Sequence, residues 1–90
     1  MQHFKSKNEE LLRAIATVIK QLRQEKGLSL NIFAYENDLQ KSLISRLENG
    51  KNEPAFLSMW RVAEALGIKP SELIKKIEEK LPENWTILEE

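Results

Sequence analysis

The sequence predicts an all-α fold, a compact bundle of five helices followed by a short C-terminal extension. Three observations predict it. Apolar residues recur at helical spacing in five separate stretches. Glycines at 27, 50 and 67 and prolines at 54, 70 and 82 stand where those stretches stop or start. Between Ser29 and Gly50 the pattern divides into two short periodic pieces joined by residues suited to a sharp turn.

In chain order, residues 1–7 read as a flexible N-terminus, and His3, the only histidine, as a surface group with no metal or catalytic role. Ser6 and Glu9 have capping-box spacing, so a first helix is predicted to begin near residues 6–8 and to run to about Lys26. Leu11 or Leu12, Ile15, Val18, Ile19 and Leu22 form its inward stripe, and Gly27 ends it. Ser29 caps a short second helix with Leu30, Phe33 and Ala34 on its inner face. Asn37 and Asp38 tolerate left-handed backbone, so they turn the chain, and Leu39 fills the angle.

A third helix is predicted over 40–49. Leu43 or Ile44, together with Leu47, points inward, and Lys41, Ser42, Ser45 and Arg46 fall on the opposite face. Asn49 and Gly50 close it. After the loop KNEPAF, a fourth helix starts near Ala55 with an apolar surface of Phe56, Met59, Trp60, Val62, Ala63 and Leu66, Trp60 being partly exposed. Pro70 opens a fifth with Leu73, Ile74 and Ile77 inward, and Pro82 is expected to end it. KKIEEK, 75–80, reads as a solvated face. The predicted organisation is thus a domain over 8–81, with its two-helix motif at about 29–49, and a tail over 82–90. Trp85, Ile87 and Leu88 are apolar for a tail, which either folds back on its own domain or meets a second protomer, a meeting for which the strand-like W-T-I-L composition suits strand pairing.

Composition bounds the function. Ninety residues with 31% charged and 41% hydrophobic side chains suit one soluble globular domain with one small core. The absence of cysteine excludes disulfides and thiolate metal sites and suits a reducing cytoplasm. No apolar run approaches the ~20 residues that span a bilayer, and the N-terminus has no signal-peptide core, so the expectation is a cytoplasmic protein without membrane contact. There is no cysteine, one histidine near the N-terminus, no phosphate-cradling glycine loop and no His/carboxylate cluster with metal spacing; no enzyme activity, cofactor, metal or small-molecule ligand is expected.

Fourteen basic and fourteen acidic residues cancel, but unevenly. Residues 1–27 carry six basic and three acidic groups, 28–55 three and four, and 56–90 five and seven. Between Gln40 and Asn52 there are three basic residues and one acidic, Glu48. If Glu48 is paired internally, the outer face of the third helix is positive. Few cations in all imply weak non-specific nucleic-acid affinity for one protomer.

The strings LRQEKGLSL (22–30), FAYENDLQKSLISRLENGK (33–51) and VAEALGIKPSELI (62–74), in that order and spacing, resemble the Cro/cI phage-repressor-like (Xre) helix-turn-helix family over roughly residues 13–77. Two positions depart from its pattern: Leu30 stands where glutamine is common, and Asp38 where glycine is common. The resemblance implies a lambda-repressor-like DNA-binding fold in which the helix 40–49 is the recognition helix. It implies base contacts from Gln40, Lys41, Ser42 and Arg46, phosphate contacts from Ser29, Asn49 and Lys51, and a shielded salt bridge between Arg23 and Glu48. Physical chemistry agrees on the first set: glutamine can pair with adenine, lysine and arginine with guanine, and serine is permissive. Ser45 can reach bases or backbone. One such unit reads few base pairs, so a homodimer on a near-palindromic double-stranded operator is expected, with Trp60, Trp85, Ile87 and Leu88 as the possible dimer surface. The function expected is transcriptional regulation, with repression the commoner outcome in similar proteins. The alternative is a protein–protein interaction module that keeps the fold without strong DNA binding.

Overall fold

The computed structural model describes residues 6–88, which form five helices and no strand: α1 (Lys7–Glu25), α2 (Leu30–Glu36), α3 (Lys41–Asn49), α4 (Phe56–Ala65) and α5 (Pro70–Glu78). His3 lies outside the described residues. The helix ends follow from local chemistry. The Ser6 hydroxyl accepts the Glu9 N–H at 3.0 Å while the Glu9 carboxylate accepts the Ser6 N–H at 3.1 Å, so two of the unpaired donors that open α1 are satisfied reciprocally. Lys7, which the sequence pattern assigns to the N-terminal segment, is the first residue of α1.

The turn between α2 and α3 depends on Asp38, whose φ of 54° is left-handed. That reverses the chain so that Leu39 donates its N–H to the Ala34 carbonyl (2.9 Å) and packs its side chain against the core. Asn37 adds a bond from its amide to the Phe33 carbonyl at 2.8 Å. Gly50, with φ 66°, ends α3 in the left-handed conformation. It also lies where a Cβ would come within 3.3 Å of the Leu12 carbonyl oxygen, so the end of α3 is pressed against α1.

The core gathers one stripe from each helix: Ile15, Val18 and Ile19 from α1, Phe33 and Ala34 from α2, Ile44 and Leu47 from α3, Met59, Val62 and Ala63 from α4, and Leu73 and Ile77 from α5. Phe33, Ile19, Ile44, Leu73 and Val62 are sealed from solvent. Three expectations need correction. Phe56 is 71% exposed rather than buried. It is the first residue of α4, and side chains lean toward a helix's N-terminus, so Phe56 projects past the end of the core and rests on Trp60, ring centroids 5.9 Å apart. Ile74 is 47% exposed because Leu73 and Ile77, four apart, already take the inner stripe of α5. And α5 ends at Glu78, before Pro82, in a tightened turn with Lys80 and Leu81 N–H groups bonded three residues back (3.0 Å each) while Leu81 packs against the core.

The tail returns to its own domain. Pro82 and Asn84, the latter at φ 69°, reverse the chain, and the Trp85 indole N–H donates to the Glu10 carboxylate at 3.0 Å with the Lys7 ammonium 5.3 Å from the ring centroid. No strand forms at Trp85–Leu88. Between the tail, α1, α4 and α5 runs an open, mainly apolar groove of about 860 Å³, touched by Leu11, Phe56, Met59, Ile74 and Ile87, which residue spacing alone does not foretell.

Candidate nucleic-acid interface

The joint that sets the angle of α3 is a shielded ion pair. Arg23, in the last turns of α1, donates from Nε to Glu48 Oε2 at 2.7 Å and from Nη2 to Glu48 Oε1 at 2.9 Å; its Nη1 donates to the Leu28 carbonyl at 2.7 Å. The two side chains are 9% and 7% exposed. A forked guanidinium against a carboxylate fixes orientation as well as distance, which a lysine could not do. The Glu48 hydrogen bond holds the Arg23 guanidinium above its ordinary pKa against the opposing effect of burial. A raised pKa on a base gives stability that is complete below the unfolded value and fades only as pH climbs through the folded one. The Arg23 contribution is therefore constant across the physiological range.

This pairing decides the electrostatics of α3. Among the described residues Arg23–Glu48 is the one ion pair, so the single carboxylate between Gln40 and Asn52 is withdrawn into the joint, and Lys41, Arg46 and Lys51 keep uncompensated charge on the surface. At about 100° per residue, Lys41, Ser42, Ser45, Arg46 and Asn49 occupy one sector of about 140° on α3, opposite Ile44 and Leu47. Lys41, Ser42, Arg46 and Asn49 are exposed and Ser45 half-exposed.

Gln40 differs from expectation. It is the N-cap of α3, not its first turn, and its side chain makes no capping bond, so an exposed amide stands at the leading end of the helix. Ser29 caps α2 by accepting the Ile32 N–H at 3.2 Å. Leu30, at the position where the resembled family commonly has glutamine, packs partly buried against the core. Of the residues considered for a dimer surface, Trp60 is 46% exposed with its indole N–H on Glu64 at 3.2 Å, Ile87 and Leu88 are exposed, and Trp85 is held against α1. No group of three or more His, Asp or Glu residues suited to a metal ion exists among the described residues, and none of their helices is long and apolar enough to cross a membrane.

Residue spacing does not single out Arg13 and Lys20. They lie with Thr17 along the exposed face of α1 and line, with Asn49, Gly50 and Lys51, a groove of about 600 Å³ between α1 and the end of α3. Their i, i+4, i+7 spacing is visible in the sequence, but their neighbour Lys51 is 31 positions beyond Lys20 and only the fold brings it close.

Residues 19–73 match the helix-turn-helix family. SutR, a helix-turn-helix-type transcriptional regulator of Escherichia coli (strain K12), is 30% identical over 74 residues, 82% of this chain and 42% of SutR. The chain thus corresponds to less than half of that relative's length. Control protein C.MunI of a Mycoplasma species is 38% identical over 63 residues, 69% of this chain and 85% of C.MunI. C.Esp1396I, a restriction-modification controller protein solved on a 19 base pair DNA duplex, has the same fold, with a TM-score of 0.71 at 23% identity over 81% of this chain and 97% of that one.

Proposed function

The chain belongs to the helix-turn-helix family, and on that premise we propose that it is a sequence-specific regulator of transcription that reads double-stranded DNA with the outer face of α3. The observation that carries this reading is the charge arrangement of α3: its carboxylate is used up in the Arg23 pair while Lys41, Arg46 and Lys51 stay exposed beside neutral hydrogen-bonding side chains. An α-helix fits the major groove, where the pattern of donors, acceptors and methyl groups distinguishes every base pair. With α3 entering by its N-terminal end, Gln40, Lys41 and Ser42 meet base edges first and Arg46 follows one turn later. Ser29, Ser45, Asn49 and Lys51 flank them and hold phosphates, which set register without reading sequence. The regulator role of SutR, the control-protein role of C.MunI and the duplex on C.Esp1396I support the same reading.

The finer parts of the reading are a homodimer and repression. Two copies joined through the exposed apolar surface of Phe56, Trp60, Ile74 and Ile87 would present two α3 helices to half-sites about one helical turn, ~34 Å, apart. Such a dimer, acting in the cytoplasm across a promoter, excludes RNA polymerase. Selection of bound duplexes from a random pool tests the DNA reading and its two-fold symmetry: the wild type enriches a two-fold symmetric motif and a Lys41→Ala/Arg46→Ala variant does not. Failure of the wild type to enrich any sequence at low salt would remove DNA readout and leave protein–protein recognition in its place.

A further inference from the structure

The groove between α1 and the end of α3 has a charge that its lining residues alone do not reveal. Five charged side chains border it: Glu9, Arg13, Lys20, Glu48 and Lys51. Only one carboxylate is neutralised: Glu48 is held by Arg23 in the shielded pair, while Glu9, at the N-terminal end of the α1 wall, accepts the Ser6 backbone N–H at 3.1 Å and keeps its charge, so three cations face one free carboxylate. The three cations have no carboxylate within ion-pair distance among the described residues. Thr17 and Asn49, both exposed, add neutral donors between them.

The groove also has a direction. Asn49 lies within the outward sector of α3 and lines the groove as well, so the groove begins where the recognition face ends. Gly50 makes the junction possible. A side chain there would meet the Leu12 carbonyl, the Ala16 Cβ at 3.4 Å and the Arg13 Cα at 3.7 Å, and its absence lets the loop carrying Asn49 and Lys51 close onto α1. The trough that continues from the C-terminal end of α3 is thus walled on one side by Asn49 and Lys51 and on the other by Arg13, Thr17 and Lys20.

We infer that α1 supplies a second backbone clamp, in which Arg13 and Lys20 act with Lys51 to hold phosphates flanking the base pairs read by α3. The inference rests on the DNA-reading function proposed above and extends the footprint of each protomer beyond the helix-turn-helix motif. It also answers the neutral net charge, because affinity then draws on cations of α1 that the motif itself lacks. Phosphate contacts carry no sequence information and release counterions, so their mark is the salt dependence of binding and not the motif bound.

The test compares wild type with Arg13→Ala/Lys20→Ala on two probes, the duplex enriched by wild type from the random pool and a scrambled duplex of equal length, each titrated across a salt series. The slope of log K against log salt is expected to become shallower by about 0.9 for each phosphate no longer neutralised, close to 2 per protomer, with both duplexes weakened by a similar factor and the enriched motif unchanged. Arg13→Lys/Lys20→Arg should restore the slope, and Lys20→Gln alone, which is mild for a helix, should give about half the change. An unchanged slope in the double variant, or an altered enriched motif, overturns the clamp while the DNA-reading function stands. A wild type that binds neither duplex at low salt overturns both.

Discussion

At the joint between α1 and α3, Arg23 is 8% exposed, donates three hydrogen bonds and faces a carboxylate; on the outer side of the same α3, Arg46 is exposed and has no carboxylate partner among the described residues. The residue type is the same and the use is opposite. Arg23 is committed to the shape of the protein, and its strong, oriented bonds set the angle at which α3 leaves the bundle. Arg46 is left uncommitted, so its charge and donors are available to something outside the chain. The difference teaches that the positive face of α3 is produced by two features together: the cations placed on it and the removal of Glu48 from it.

The largest effect that would break this comparison lies at the joint. Glu48→Ala leaves the Arg23 guanidinium buried without its partner and should cost about 3–5 kcal/mol in urea denaturation. Replacing both residues by apolar ones of similar volume, Arg23→Met/Glu48→Leu, should recover most of that loss. Were Glu48→Ala as stable as wild type, the pair would be incidental. On the outer face the expectation reverses. Lys41→Ala and Arg46→Ala should each move the folding free energy by less than about 0.5 kcal/mol while weakening binding to the selected duplex by about 1–3 kcal/mol for each side chain removed from a base edge.

The tail supplies an intermediate case. Trp85 combines one hydrogen bond to Glu10 with the Lys7 ammonium over its ring, so Trp85→Ala should cost about 1–2 kcal/mol of stability and leave the bound motif unaltered. A Trp85→Ala protein as stable as wild type would show that the tail does not hold to α1 in solution. The smallest effect is expected at the turn. Asp38 sits at φ 54°, where an L-residue is strained and glycine is not, so Asp38→Gly should gain up to about 1 kcal/mol, offset in part by the chain entropy of glycine. A measurable loss there would mean that the Asp38 side chain contributes an interaction beyond the turn.

The sequence made legible those features set by neighbours in the chain. The Ser6–Glu9 capping box, the left-handed ends at Gly27 and Gly50, the turn at Asp38 and the stripes of α1 and α3 follow from spacings of three to seven residues and from backbone preferences. The pairing of Arg23 with Glu48, 25 positions apart, is not visible in any local pattern and rests on family resemblance until the fold is seen. Phe56 and Ile74 illustrate the limit of periodicity: both have helical spacing to core residues, but one lies at the first turn of its helix and the other one step off the stripe. Nor could local spacing fold the tail onto Glu10, 75 positions away, or set Lys51 beside Arg13 and Lys20. In each case the missing information was which surfaces the fold brings together.

The most direct measurement takes two arginines of this chain and asks what each is for. Arg23→Ala and Arg46→Ala would be carried side by side through chemical denaturation and through titration with the duplex selected by wild type. Arg23→Ala should lose about 3–5 kcal/mol of folding free energy, and Arg46→Ala should keep wild-type stability while losing DNA affinity. An Arg46→Ala protein that binds the selected duplex as tightly as wild type, or one that unfolds as readily as Arg23→Ala, would contradict the division of labour on α3.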